Sequence, residues 1–522
     1  MTRYWHNHKW IFIISVFVIV ITTIPYFLGF VNQNEQFRFS GFIIGVEDGN
    51  SYLAKMMLGS NGKWLFTTPY TAYEQNDFFA FFPYLTLGKL AAEPGLRLQL
   101  ISLFHLFRIL GILYLVFETF LFSNIFIKDK KTSLTITFFV VFGGGLGWVG
   151  ILFPEIIGNR LPLEFYSPET FGFLSAFSLP HLLFGRAFLY KSMRTFLQID
   201  VFDPPNKSKL FLSGSYLLVG GIFQPLNLFI GWVVIGLYTI YKFVQTKQKF
   251  SNIFMFTFWL LPSAPLFFYN FFSFLFDPYL SSWQNQNKIF SPPVIDYMFA
   301  YGLGLIDLII SITKKWTENI HHKSFLYIWM ILLPILIYLP VNTQRRLSEG
   351  VWISFCIFIA LVIHKNKSKL VQLAFSTLMI FPTLLFLIGS INTVKNISTP
   401  VYIPAPVEEM TKSIKDQIEL GDVILAPFYE SNVLPSYLPV KVLSGHGPES
   451  MNLLEISDSL DSFYNGTSDE FQIRGLISEF NIKFIVIPRS NQFEKITNQL
   501  SYFSTNVIFE SEDYSVIQIY ER

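Results

Sequence analysis

Cysteine and charge are both scarce in this sequence. The chain has 522 residues and a single cysteine, Cys356, which lies inside an apolar stretch. One cysteine allows neither a disulfide within the chain nor a cysteine-based metal site. We find no His/Cys cluster at metal-ligand spacing, no phosphate-binding glycine loop and no nucleophile elbow. We therefore expect no cofactor, see no indication of a divalent metal, and find no sign of nucleic-acid recognition.

Apolar residues, in contrast, are abundant. Hydrophobic residues make up 52% of the chain and charged residues 14%, and Phe occurs 60 times. Runs of about 18–25 apolar residues, long enough to cross ~30 Å of hydrocarbon, recur along the chain. The pattern predicts a polytopic α-helical membrane protein with about eleven transmembrane helices. The predicted spans are residues 10–31, 100–126, 132–154, 171–191, 208–224, 226–242, 251–275, 297–313, 324–341, 350–364 and 369–391.

Basic residues indicate the orientation in the membrane. The intervening short loops carry four Lys and Arg, whereas eighteen lie near the N-terminus and in the connections at residues 128–131, 191–209, 242–249, 314–323 and 365–369. The positive-inside rule then predicts a multi-pass protein of the cell membrane with a cytoplasmic N-terminus and an extracytoplasmic C-terminal segment. Residues 208–242 are given two crossings, although Gln224-Pro225 interrupts the apolar run; a single crossing would reverse every later loop.

The hydrophobic pattern divides the chain into two predicted domains. Residues 1–394 form a membrane domain with a large first outer loop at residues 32–99, and residues 395–522 form an extracytoplasmic α/β domain. In this second part helical patterns alternate with short β-type runs, an order typical of a small α/β domain with its own core. The β-type runs are residues 423–426, 440–443, 483–487, 507–509 and 515–519.

Acidic residues of the first outer loop are candidate catalytic groups. Glu47 and Asp48 follow the first span by about sixteen residues, and a carboxylate there can deprotonate an acceptor hydroxyl if its pKa is suitably tuned. The competing interpretation is that Asp48 caps a helix beginning near Asn50. Glu74 and Asp77 are similar candidates, for which ordinary solvated loop carboxylates are the competing interpretation.

Several charged residues lie within predicted spans. His105 and Arg108 share one helix face near the outer end of the second span, and His181 and Arg186 lie in the fourth. Ionisable groups at membrane depth mark candidate substrate sites. The alternative is that each simply bonds a neighbouring carbonyl or carboxylate. Pro180 is expected to open the helix locally, because proline removes a backbone donor.

Two adjacent arginines, Arg345 and Arg346, stand where basic residues are otherwise rare. A guanidinium can bind two phosphate oxygens at once and stabilise charge on a departing phosphate. Alternatively, the pair anchors a helix in lipid headgroups, or Arg345 pairs with Glu349 one turn later.

Two glycine-rich segments have simpler explanations. Gly143-Gly144-Gly145-Leu146-Gly147 lies inside the third span and predicts close helix packing. Gly445-His446-Gly447-Pro448-Glu449-Ser450 follows a β-type run, and here His446 and Glu449 are candidate substrate contacts. A turn formed by the glycines is the competing interpretation.

The first outer loop resembles that of the GT-C superfamily of membrane glycosyltransferases. The resemblance rests on Asp48-Gly49-Asn50-Ser51-Tyr52, Gly62-Lys63-Trp64 and Phe81-Phe82-Pro83-Tyr84-Leu85. The loop looks most like that of the dolichyl-phosphate-mannose protein mannosyltransferases and of similar bacterial polyprenyl-phosphate-sugar transferases. The likeness implies that Asp48, with Glu47 next in line, acts as base, and that Arg345 and Arg346 match the basic group near the lipid phosphate. The paired acidic signature of metal-dependent, diphosphate-using members is lacking.

These observations predict a glycosyltransferase. It would move a sugar with inversion from a polyprenyl-phosphate donor in the membrane to an acceptor on the outer face, whether protein, lipid or glycan. A transporter or lipid flippase is the first alternative, since intramembrane Arg and His also mark transport pathways, but we find no internal repeat of the kind that transporters usually show. A non-catalytic membrane scaffold with an outer binding domain is the second.

Overall fold

A computed structural model describes residues 2–199, 206–246 and 256–520. Lys247 and Lys249, which we predicted in a basic connection, and residues 251–255, at the start of a predicted span, lie outside the described residues. The α-helices of the part up to residue 246 are α1 (Thr2–Asn32), α2 (Val46–Ser60), α3 (Phe82–Gly88), α4 (Leu96–Phe126), α5 (Lys130–Phe142), α6 (Val149–Leu152), α7 (Gly172–Ser178), α8 (Pro180–Leu197), α9 (Lys207–Phe223) and α10 (Leu226–Thr246).

The helices after residue 256 divide into an apolar group and a C-terminal group. The apolar group consists of α11 (Thr257–Leu260), α12 (Ala264–Phe276), α13 (Pro278–Gln286), α14 (Val294–Thr313), α15 (Lys323–Leu336), α16 (Trp352–Lys365) and α17 (Lys369–Lys395). The C-terminal group consists of α18 (Ala405–Ile414), α19 (Phe428–Val433), α20 (Leu453–Tyr464), α21 (Glu470–Phe480) and α22 (Phe493–Gln499).

Five helices of the described residues are long and apolar enough to cross a membrane. They are Lys9–Asn32 within α1, together with α4, α10, α14 and α17. Three shorter apolar helices, α12, α15 and α16, lie at other predicted spans. The mostly helical membrane architecture is therefore confirmed, whereas the count of about eleven crossings stays a prediction.

The third and fourth predicted spans are not continuous helices. α5 ends at Phe142, and the glycine segment that follows runs close to its neighbours: a Cβ on Gly145 would lie 2.1 Å from the carbonyl oxygen of Ala300. Close packing thus explains these glycines, as predicted, but it also ends the helix. In the fourth span α7 ends at Ser178 and α8 begins at Pro180, the break that the proline predicts.

The chain divides into two compact units. The first comprises residues 1–25, 106–273 and 288–391, and the second comprises residues 26–105, 274–287 and 392–522. The first unit holds most of the apolar helices. The second joins the predicted first outer loop to the C-terminal region.

A five-stranded sheet forms the centre of the C-terminal region. In chain order its strands are β3 (Val423–Leu425), β4 (Lys441–Val442), β5 (Ile482–Pro488), β6 (Ser504–Glu510) and β7 (Tyr514–Tyr520), and they lie in the order β4-β3-β5-β7-β6. β3 runs parallel to β4 and β5, while β7 is antiparallel to β5 and β6. Each strand overlaps a β-type run of the sequence, so this prediction is confirmed. A separate antiparallel pair joins β1 (Phe37–Phe39) to β2 (Tyr402–Pro404).

Alternation along the strands builds two cores, one on each face of the large sheet. Phe484 and Val486 of β5 belong to one core, together with residues of α18, while Ile485 and Ile487 belong to the other, with residues of α20, α21 and α22. Successive side chains of a strand point to opposite faces, so a sheet covered on both sides reads as a continuous apolar run. The result is a helix–sheet–helix sandwich.

Candidate active site

Helix α2 presents a polar face to the C-terminal region within the second unit. Asp48, Ser51 and Lys55 are spaced at i, i+3 and i+7 and therefore share one face of α2. The helix begins at Val46 behind Gly45, whose φ of 57° is left-handed and suits glycine. The competing interpretation of Asp48 as a cap is therefore wrong: it lies in the first turn, where a carboxylate is favourable to the helix dipole.

Asp48 is exposed but held by a buried histidine. His446 Nε2 lies 2.9 Å from Asp48 Oδ1, and because an ionised carboxylate only accepts, the imidazole donates. The Asp48 side chain is 55% exposed and that of His446 only 7%. The histidine fixes one oxygen of a carboxylate that remains accessible to a substrate.

Behind His446 lies a second, fully buried carboxylate. His446 Nδ1 is 3.4 Å from Glu449 Oε1, within ion-pair distance. This oxygen accepts hydrogen bonds from Lys55 Nζ at 2.6 Å and from Ser51 Oγ at 2.9 Å. Thr68 Oγ1 donates to the other oxygen at 2.7 Å. Lys55 and Glu449 are 1% and 3% exposed, and such burial of charge is tolerated only with full pairing. The four ionisable groups thus form a charge network, Asp48–His446–Glu449–Lys55, which runs from solvent into the core of this unit.

The charges of this network shift the pKa values of His446 and Glu449. Burial lowers the pKa of His446, but hydrogen bonds and charge from Asp48 and Glu449 outweigh it and raise the pKa to about 9. Burial raises the pKa of Glu449, yet Lys55 and His446 together hold it well below its usual range. His446 is therefore a cation at neutral pH and Glu449 an anion.

Glycine is required beside His446. Gly445 has a φ of +148°, and a Cβ there would lie 2.6 Å from the carbonyl carbon of Ser431. The neighbouring Asn432 donates from Nδ2 to the Gly445 carbonyl at 2.7 Å and accepts from Asn50 of α2 at 2.8 Å. The predicted glycine turn is thus real, and it also aims His446 at Asp48.

Aromatic rings line the adjoining side of α2. Tyr52 stacks on Tyr84 at 4.6 Å between centroids, and Tyr84 in turn stacks on Phe104 at 6.1 Å. The Lys55 ammonium lies 4.2 Å from the ring centroid of Phe81. α2 and α3 approach closely at Gly59 and Gly88, where an added Cβ would meet the backbone of the facing helix.

The first unit contains the arginine pair. Arg345 stacks over Tyr166 at 4.6 Å, and its Nε is buried with no hydrogen-bond partner among the described residues. Arg346 Nε lies 3.3 Å from the buried carboxylate of Glu169. The alternative pairing of Arg345 with Glu349 is not what the structure shows, because Glu349 pairs with Arg186.

The two arginines within predicted spans form an ion pair or hydrogen bonds with nearby side chains. Arg186 pairs with buried Glu349. Arg108, fully buried, donates to the hydroxyl of Thr22 at 2.8 Å and to that of Thr23 at 3.0 Å. These contacts favour the structural interpretation of both arginines.

The remaining predicted site residues do not belong to the charge network of Asp48, His446, Glu449 and Lys55. His105 contacts the carbonyl oxygen of Gly41 at 3.0 Å. His181 is half-buried in the first turn of α8, Glu74 is an exposed loop residue, and Glu47 is exposed beside Asp48 on α2.

Comparison with known proteins reveals the fold family. No protein-family model matches the sequence, and no curated protein does either. The solved oligosaccharyltransferase of Archaeoglobus fulgidus, tethered to an acceptor peptide containing the NVT sequon, aligns over 96% of this chain and 73% of its own, with TM-score 0.56 and 10% identity. The same protein with an inhibitory peptide and a dolichol-phosphate aligns over the same shares with TM-score 0.50 and 11% identity.

Both structures are GT-C membrane glycosyltransferases. The chain has the GT-C fold. The resemblance found in the first outer loop is thereby confirmed at the level of the fold. ArnT of Cupriavidus metallidurans, bound to undecaprenyl phosphate, aligns over 97% of this chain and 98% of its own at TM-score 0.49 and 10% identity.

Sequence reasoning missed part of the network of ionisable groups that begins at Asp48. Lys55 was not a candidate, although its i+7 spacing from Asp48 places both residues on one face of a helix. The sequence analysis also did not identify Glu164 and Glu169, two carboxylates buried in the segment before α7. Burial of Glu164 raises its pKa to about 7 although backbone N–H groups stabilise the charged form.

Proposed function

We propose that this chain is an integral membrane glycosyltransferase that moves a sugar from a polyprenyl-phosphate donor to an acceptor on the outer face of the membrane. The observation that carries the proposal is the exposed carboxylate of Asp48, fixed at one oxygen by the buried His446 on a GT-C fold. Asp48 stands in the first loop, where the resemblance predicts the base.

Asp48 is the proposed base. Its exposed carboxylate takes the proton from an acceptor hydroxyl while the hydroxyl oxygen attacks C1 of the sugar. The bond between C1 and the phosphate oxygen breaks, and the electron pair leaves with the lipid phosphate. One displacement of this kind inverts the configuration at C1.

His446 is a positioning residue in this scheme. As a cation it pairs with the Asp48 carboxylate and fixes its orientation. Glu449 and Lys55 hold the imidazole in turn, since Glu449 contacts both. A departing phosphate needs no proton, so the proposed step requires no general acid.

The lipid phosphate is assigned to the arginine pair. Arg345 stacks on Tyr166 and its Nε has no hydrogen-bond partner among the described residues, so it can donate to a phosphate oxygen. Arg346 is anchored by Glu169 and contributes charge. The aromatic side chains beside α2 are proposed to contact the sugar and the isoprenoid.

The decisive experiment measures release of free polyprenyl phosphate. Purified protein is incubated with a panel of polyprenyl-phosphate sugars and membrane extract as the source of acceptor. We expect release by wild type and a loss of about 10²–10⁴-fold in Asp48→Asn. Glu35→Gln, which removes an exposed carboxylate elsewhere in the same loop, is the matched control and should retain activity. Full activity in Asp48→Asn would refute the assignment of the base, and no release from any donor would point to transport or scaffolding.

A further inference from the structure

A cavity of about 240 Å³ lies at one edge of the C-terminal sheet. Three parallel strands end at it. Phe428 follows β3, Ser444 follows β4, and Ser490 follows β5, and all three residues line the cavity. Helix α20 supplies the opposite wall with Ser457, Leu460 and Asp461.

The topology marks this edge as a binding position. β3 and β5 are parallel neighbours, but the chain leaves β3 toward β4 on one side and leaves β5 toward β6 and β7 on the other. In open α/β sheets ligands bind outside the carboxyl ends of the strands, at the point where the connections diverge. The cavity occupies that point.

A buried hydroxyl without a partner gives independent evidence of a ligand. Ser444 is 1% exposed, and its Oγ has no hydrogen-bond partner among the described residues. An unpaired buried hydroxyl is unfavourable, so such groups normally have a partner. A ligand hydroxyl in the cavity would provide it.

The lining defines the class of ligand. Serine hydroxyls and the Asp461 carboxylate offer hydrogen-bonding groups, Phe428 and Leu460 offer apolar surface, and Phe428 is 41% exposed. No Lys or Arg belongs to the described lining, and Asp461 repels anions. The volume lies just below the roughly 300–1,000 Å³ of ordinary small-molecule sites, which suits a ligand of about one ring. A neutral sugar ring, with C–H faces and a rim of hydroxyls, matches these features.

We propose that this cavity binds a neutral sugar residue. Asp461 accepts hydrogen bonds from its hydroxyls, Ser444 and Ser457 bond its edge, and Phe428 packs against its face. This site is distinct from Asp48 and His446, which do not line the cavity. It would give the C-terminal region a carbohydrate-binding role of its own.

The test is binding of methyl glycosides to the full-length protein in lipid nanodiscs, which avoids sugar-headed detergents. Saturation-transfer NMR is titrated with neutral methyl hexosides and, for comparison, methyl glucuronoside. We expect a dissociation constant on the order of millimolar for at least one neutral glycoside, and weaker binding of the anionic one.

Matched variants on α20 assign the site. Asp461→Asn should weaken binding about tenfold through loss of a charged acceptor, while Asp458→Asn, an exposed neighbour on the same helix, should not. Ser457→Ala should also weaken binding, and Ser459→Ala, whose exposed hydroxyl bonds Glu455, should not. Ser444 is buried, so the test uses these surface and partly buried positions, whose substitution leaves the packing of the sheet intact.

Three results would overturn the proposal. The first is that no neutral glycoside shows saturable binding up to about 100 mM. The second is that Asp461→Asn and wild type bind glycosides equally well, and the third is that wild type binds the glucuronoside more tightly than the neutral glycosides. The test needs neither a lipid donor nor an acceptor, and its matched controls, Asp458→Asn and Ser459→Ala, lie outside the proposed catalytic site. Its outcome is therefore independent of the proposed transferase activity.

Discussion

His446 donates a hydrogen bond of 2.9 Å to Asp48 although the two residues are 398 positions apart in the sequence. The contact joins the end of a glycine turn to the first turn of α2. It gives the exposed carboxylate of Asp48 a fixed orientation, and the buried charges of Glu449 and Lys55 lie behind the histidine. This relationship makes Asp48 a stronger candidate base than Glu47, which is exposed beside it.

The raised pKa of His446 predicts a pH dependence of stability. His446 faces Asp48, Glu449 and the ring of Tyr70. Because its pKa in the folded protein, about 9, exceeds the ordinary value of 6.5, its contribution is complete below pH 6.5 and is lost as pH rises through about 9. We expect wild type to lose stability between pH 7 and 10 more steeply than His446→Gln, as measured by SDS-induced unfolding. Parallel pH profiles for the two proteins would contradict a charged histidine.

Removal of the buried lysine is expected to be costly. Lys55→Met leaves Glu449 buried without its closest cation, and breaking a buried pair in this way costs about 3–5 kcal/mol. Lys63→Met is the control, because Lys63 is 39% exposed and 3.7 Å from Asp77, and exposed pairs contribute about 0–1 kcal/mol. The free energies of unfolding of the two variants should differ accordingly. Restoration of part of the loss by adding Glu449→Gln to Lys55→Met would show that the unpaired charge is the cause.

Arg345 should affect use of the lipid donor. If its guanidinium binds the departing phosphate, Arg345→Ala should lower kcat/KM for the polyprenyl-phosphate sugar by about 10–100-fold. The variant should still fold. Lys288→Ala, at an exposed position of the same unit, should change kcat/KM little. Equal values for Arg345→Ala and wild type would remove Arg345 from the proposed mechanism.

The glycine segment after α5 should tolerate no side chain. In Gly145→Ala the new Cβ would lie 2.1 Å from the Ala300 carbonyl oxygen, so the backbone must shift, and overpacking of this kind costs about 1–3 kcal/mol. Gly236→Ala in α10 meets nothing within 4 Å and should be neutral or slightly stabilising, because alanine is the better helix former. Thermal unfolding of the two variants checks the difference. Similar melting temperatures would show that the segment can rearrange.

The sequence alone determined the helical membrane architecture and most of the C-terminal strands. Both follow from local properties: long apolar runs specify helices that can cross a membrane, and short apolar runs bounded by polar segments specify buried strands. It also indicated Asp48 through the resemblance of its loop to GT-C enzymes. Lys55 was accessible to the same reasoning, since helical spacing places it on the face of Asp48.

Only the tertiary structure decided the partners of these groups. The links of Asp48 to His446, and of Arg186 to Glu349, join distant segments. The α5 helix ends at Phe142, before the segment in which Gly145 packs against Ala300, rather than where the apolar run ends. The cavity at the ends of β3, β4 and β5 exists because three separate segments share one sheet edge. Hydrophobic periodicity is local in the chain, whereas ion pairing, close backbone contact and cavity shape depend on which distant segments the fold brings together.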